Sequence, residues 1–451
     1  MEFMSGLTET QTSVLRTLFG VAPDSAVRNL ERALSEEAGG AGAMAAVYGM
    51  VAREAGERRA KHAVFAPLLA LCVPRDGSPL SFPPSVLAAL WAALRETNPT
   101  DTDAAVACAG KKKASEESLA LAAEIYDRLC VEAALGLRER SPTFARAVEI
   151  LDANGSEGPE QCAKFLDLTP LARAALTRLP EWVGRMTEDR AAAVRLAYKD
   201  AVNLADDAGP RFFEMLLANL PEPWLIMRLL SAVMDHPAER YVAVSELAQT
   251  AEFILGDIDR KLTRFRTFEP GDGKPAGLAA GQAIQVAAME IVEFEAAIEL
   301  SREGPWGKRI AQQKQSLAQL AETRLGQIDK ALDAAMPLQM VKFGKGVRGL
   351  PRLTADPDPL ALRRVEGLMA FFDYSRQFAS QSGYGAARAK ASEKIEARMD
   401  QYIEDLLEML RAQQVETLGR VRQFLEISAG VIEAARGEKA GQIVRRRAAA
   451  A

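Results

Sequence analysis

Histidine is almost absent from this chain, with two in 451 residues, His62 and His236. That scarcity narrows the available chemistry. A di-iron helical bundle needs Glu-x-x-His on two of its helices, but Arg59 and Val233 stand three positions before these histidines. A Ser–His or Cys–His relay would have to recruit one of the same pair. Carboxylates are more plentiful. Glu290, Glu293, Glu295 and Glu299 crowd one helical segment. Such a cluster can serve a divalent cation, but the amphipathic pattern favours the acidic, solvated face of a helix.

Asp206-Asp207 resembles the Asp-rich motif of all-α isoprenoid synthases, whose carboxylates hold magnesium against a diphosphate. Pro210 stands where a third Asp is needed, and Asp257-Ile258-Asp259 fits no better. Helix-terminal turns account for both. Gly271-Asp272-Gly273-Lys274 and Gly344-Lys345-Gly346 match neither of the phosphate-cradling glycine patterns and follow no strand-like segment. No metal or cofactor is expected.

The segment holding Lys342, Lys345, Arg348 and Arg352 is basic throughout, with Phe343 among its cations and no acid. A connector of this kind suits an acidic partner or a phosphate backbone. The net charge of -5 argues against nucleic acid, whose binding depends on neutralising phosphates. A second basic cluster, Arg445-Arg446-Arg447, is too short to specify anything. Arg53, Arg58, Arg59, Lys61 and His62 read as a solvated basic stretch. Cys72, Cys108, Cys130 and Cys162 are widely spaced, which points to free thiols in a reducing cytoplasm.

The elements that must carry these residues are helical. Hydrophobic residues make up 48 % of the chain and aromatics only 6 %, and Ala, Leu, Glu and Arg all favour helix. No segment alternates β-branched residues between turn signals. The expected fold is all-α. Four regions suggest themselves: an N-terminal helical region at 1–140, short helices at 141–268, a Gly/Pro-rich hinge at 269–281, and long antiparallel helices of coiled-coil character at 282–451. In the second region Leu179-Pro180-Glu181-Trp182 and Leu220-Pro221-Glu222-Pro223-Trp224 recur about forty residues apart, within the range of HEAT-like repeats. The run from Trp224 to Val233 is apolar almost all round, as in a central buried helix. Segment 337–359 reads as an aperiodic connector, and 437–451 as a frayed tail.

The last region is organised by one stripe. Met399, Ile403, Leu406, Leu410, Gln414, Leu418, Val421, Leu425, Ser428 and Ile432 recur at steps of three and four, the pattern of a helix facing a partner. Read as a single helix over 386–436, it spans roughly 75 Å at 1.5 Å per residue, and it cannot bury its own stripe. These features predict a non-enzymatic helical scaffold or adaptor acting through a protein partner or a homo-oligomer, with self-association through the stripe. The alternative is an all-α enzyme or lipid- or small-molecule-binding protein with a pocket between helices. No secretory leader or membrane span is expected, and the cytoplasm is the expected location.

Overall fold

The computed structural model describes all residues except 1–6, 38–42, 75–80, 111–114, 154, 235–236, 344–345 and 413–417. It is an all-α fold with one small β-hairpin. Contacts divide the chain into two compact units, Met1–Asp235 and His236–Ala451.

The first unit opens with helices Glu9–Val21 and Asp24–Glu37 beside the longer Ala43–Val64. Phe19, Val27, Val51 and Ala55 form their common core. The basic stretch expected in solvent is instead a clasp. Arg58 pairs with Asp24 at 2.6 Å and Glu54 at 2.7 Å and donates to the Phe19 and Ala22 carbonyls, while Arg59 grips Glu31. A planar guanidinium thus bridges three segments at once.

Further along, Arg173 donates to the carbonyls of Ala63 and Val64 and pairs with Asp127 at 3.0 Å. It therefore joins Thr169–Trp182 to Ala43–Val64 and Glu116–Arg138. The two Leu-Pro-Glu motifs adopt different structures. The first forms the last turn of helix Thr169–Trp182, and the second leads into a 3-10 turn at Pro223–Leu225. The apolar run is largely buried in helix Ile226–Val233, with Ile226, Met227, Leu229 and Leu230 fully covered.

In the second unit the expected hinge at 269–281 is ordered. Pro270–Asp272 forms a 3-10 turn and Lys274–Ala297 one continuous helix. This helix crosses Pro359–Tyr374 so closely that a Cβ on Gly277 would lie 2.0 Å from the Gly367 carbonyl oxygen. Gly277, one of the glycines that suggested flexibility, is there for close backbone approach. Helix Pro305–Gly326 is capped from inside. Buried Glu239 accepts from Ser301 N–H at 2.9 Å, Trp306 N–H at 2.7 Å and Gly307 N–H at 3.3 Å. A carboxylate thereby satisfies the orphan donors and the positive end of the helix dipole.

The expected single helix over 386–436 is two helices, Gly385–Arg411 and Leu418–Arg436. Tyr402 meets Phe424 with ring centroids 6.4 Å apart, and Arg436 reaches back to Asp400 at 2.7 Å and Glu396 at 3.0 Å. The pair is therefore antiparallel. The expected frayed tail is helix Glu438–Ala450, turned back at Gly437 with φ +97. Arg445 pairs with Glu426 and Glu433, and Arg447 with Glu404. Among the described residues no helix is long and apolar enough to cross a membrane.

Candidate functional site

The stripe residues do not form a recognition surface. Met399, Ile403, Leu406, Leu410, Val421, Leu425 and Ile432 are all buried, Leu418 is half-buried, and Gln414 lies outside the described residues. Antiparallel packing of the two helices, closed by Pro359–Tyr374 and Glu438–Ala450, covers the stripe within the chain. The stripe is thus covered without a second chain. The periodicity correctly marked a face needing a partner, and the chain itself provides one.

The basic segment is where the sequence reading was most incomplete. Positions 337–359 were expected as a connector, yet Leu338–Phe343 and Gly346–Pro351 pair as an antiparallel hairpin. A signal was present. Two six-residue stretches flank Gly344-Lys345, and Gly as the first of two loop residues is a hairpin preference. Interspersed Gly, Lys and Arg weakened the strand pattern.

The hairpin separates Lys342 from Arg348 and Arg352. Cross-strand pairs Leu338↔Pro351, Met340↔Gly349 and Lys342↔Val347 place Leu338, Met340, Lys342 and Val347 on one face. This face is open: Leu338 is 41 % exposed, Met340 70 % and Val347 59 %. Lys342 is also exposed and makes no ion pair among the described residues. Arg348 projects from the other face and pairs with Asp405, a nearly buried carboxylate on helix Gly385–Arg411 that also accepts from Gln401 at 2.9 Å. Arg352 donates its backbone N–H to the Pro337 carbonyl at 2.9 Å and its side chain to Thr354 at 3.1 Å. Lys345 lies outside the described residues.

Arg348 therefore acts as an anchor. An isolated two-stranded hairpin is marginal in water, but the Arg348–Asp405 pair ties this one to a helix while its opposite face stays open. Asp405 Oδ2 is buried without a partner, so losing Arg348 would leave a largely desolvated charge uncompensated.

The remaining candidates resolve into structural roles. Glu290, expected on a solvated face, is fully buried and accepts from Lys261 at 2.7 Å, with Asp257 on the same lysine. Burial raises the Glu290 carboxyl to about 8, opposed by the charge of Lys261. Asp206 is exposed, and Asp207 pairs with Lys164 and Arg211, which hold its carboxyl down to about 2. His62 faces Asp24 at 3.2 Å, and His236 lies outside the described residues. Burial raises Cys72 to about 11 and Cys130 to about 12, and pushes Cys162 up as well, so these thiols remain protonated. Among the described residues, no group of three or more His, Cys, Asp or Glu side chains is arranged to hold a metal ion.

One interhelical groove in the second unit, of about 520 Å3, has Leu278, Leu362, Val365, Met369 and Val431 among its lining, with Glu366 and Asp373 at its edge. Neither Asp206 nor Asp257 belongs to it. No protein family, curated protein or solved structure matches this chain.

Proposed function

We propose that the protein is a non-enzymatic helical adaptor that engages a protein partner through the open face of its 338–351 hairpin. One observation carries this reading. Three large apolar side chains, Leu338, Met340 and Val347, stand exposed beside Lys342 on a hairpin whose other face is fastened by Arg348 to Asp405. Apolar area held open at a fixed position loses little further freedom on association, which favours recognition. Lys342 on the same face selects against basic partners.

The test uses a photo-crosslinking amino acid in place of Met340 in the full chain, expressed in the cell of origin. A defined partner band is expected. It should disappear when Leu338→Asp and Val347→Asp are added, while a crosslinker at exposed Leu196 yields no such band. Crosslinking that is absent, or indifferent to the two substitutions, overturns the reading.

The alternative, a protein that holds a lipid or other small molecule between helices, draws its support from the groove that Val365, Met369 and Val431 help line. It predicts saturable uptake of an apolar fluorophore, displaced by Met369→Trp, without any contribution from the hairpin.

A further inference from the structure

The hairpin also has an unpaired backbone edge. Arg352 N–H donates to the Pro337 carbonyl, which makes 337 and 352 a hydrogen-bonded pair. Such pairs alternate along an antiparallel ladder. By the register, 339 with 350 and 341 with 348 are therefore also hydrogen-bonded pairs, and 338 with 351, 340 with 349 and 342 with 347 are not. Pro351, which has no N–H to donate, falls in the second set as this phase requires. The backbone N–H and C=O groups of Leu338, Met340 and Lys342 consequently point away from the second strand. The second strand packs against helix Gly385–Arg411, whereas Leu338, Met340 and Lys342 on the first are exposed. Among the described residues these outward groups have no hydrogen-bond partner.

The same three residues thus supply both the open side-chain face and the open backbone edge. Resting on the adaptor reading, we propose that this edge receives an extended, acidic segment of the partner as a third strand. Such a strand would hydrogen-bond to Leu338, Met340 and Lys342 through its backbone. Its alternate side chains would lie about 5 Å from theirs, apolar ones beside Leu338 and Met340 and an Asp or Glu beside Lys342.

Charge decides the occupant. The segment 337–352 carries four cations and no acid; Arg348 is offset by Asp405, but Lys342 and Arg352 make no ion pair among the described residues, so a second copy would bring further like charge into one sheet. A lipid surface would cover the apolar side chains but leave the outward N–H and C=O groups unsatisfied. Natural proteins usually blunt free edges with charge or proline; this edge has one exposed lysine, Lys342, but carries a 70 %-exposed methionine at its centre.

The test is selection of a display library of random decapeptides on the full chain. Met340→Pro is the counter-target, because proline at this position removes an outward N–H and none of the hairpin's own bonds. Enriched sequences should carry apolar residues at two alternate positions and an Asp or Glu at the next alternate one. N-methylation of alternate peptide nitrogens should weaken binding at least tenfold, and Lys342→Glu should do the same. The peptide arm does not depend on the Pro variant keeping its fold.

Failure to enrich any sequence, enrichment of non-alternating or basic sequences, or indifference to N-methylation overturns the strand mode. So does capture by phosphatidylserine vesicles in place of peptides, or a dimer in sedimentation that Met340→Pro abolishes. If the position-340 crosslink persists while the strand test fails, the adaptor reading stands and only its mode falls. If both fail, both fall.

Discussion

Replacing Leu406 or Leu410 with Ala separates intrachain packing from self-association. Both lie on helix Gly385–Arg411 one turn apart, 0 % and 3 % exposed. A buried Leu→Ala change costs about 2–5 kcal/mol, with the spread set by how well the site can relax. Leu410 borders a surface groove shared with Leu418 and Leu425, so water or a neighbour can fill the space, and about 2 kcal/mol is expected. Leu406 has no such outlet, and about 4 kcal/mol is expected. In a unit of this size each kcal/mol moves the melting temperature by about 2–4 °C, so Leu406→Ala should lower it by about 10 °C. The double variant need not be additive, because the two side chains are neighbours.

Glu404 and Glu408 on the same helix provide the control. Both are exposed, and Glu404 holds only the surface pair with Arg447. Changing either to Ala should cost no more than about 1 kcal/mol. Scanning calorimetry at two protein concentrations gives the decisive comparison. Because the stripe is covered within the chain, the melting temperature should not depend on concentration in any variant. Equal small effects from the leucine and glutamate pairs would refute the packing argument. A concentration-dependent transition abolished by Leu406→Ala would restore the intermolecular reading.

Three further outcomes follow from buried polar groups. The Glu290 carboxyl is raised by burial from an ordinary value of 4.5 to about 8, so its protonated form is the one the fold favours. Its contribution is complete below about pH 4.5 and is lost as pH rises through 8; urea titrations across that range should show the second unit weakening, and Glu290→Gln should flatten the profile. Glu239→Ala strips the buried acceptor from the Trp306 and Gly307 N–H groups at the start of helix Pro305–Gly326 and from Ser301 N–H just before it, and should cost about 3 kcal/mol or more, read as early fluorescence change at Trp306. Cys108, the half-buried thiol, should react with an aromatic disulfide reagent in the native protein, whereas buried Cys72, Cys130 and Cys162 should react only on unfolding; equal native rates would contradict their burial.

Local spacing was sufficient for the helices and for which faces they bury. Leu317, Ala321 and Leu325, or Met399, Ile403 and Leu406, sit at helical intervals, and each proved buried, because a 3.6-residue period and hydrophobic burial are properties of a short stretch of chain. What covers a face is not local. The same stripe suits a second chain or the returning helix Leu418–Arg436, and only the three-dimensional path selects between them. Glu290 looked solvent-facing because its sequence neighbours are acidic, but Lys261, twenty-nine positions earlier, meets it inside the unit. Gly277 looked like a hinge because its contact, Gly367, is ninety positions away. The hairpin shows both limits together. The sequence offered only a connector there, and the role of Arg348 as an anchor depends on Asp405, fifty-seven residues distant. Sequence separation hides such pairs, and folding brings them within hydrogen-bonding distance.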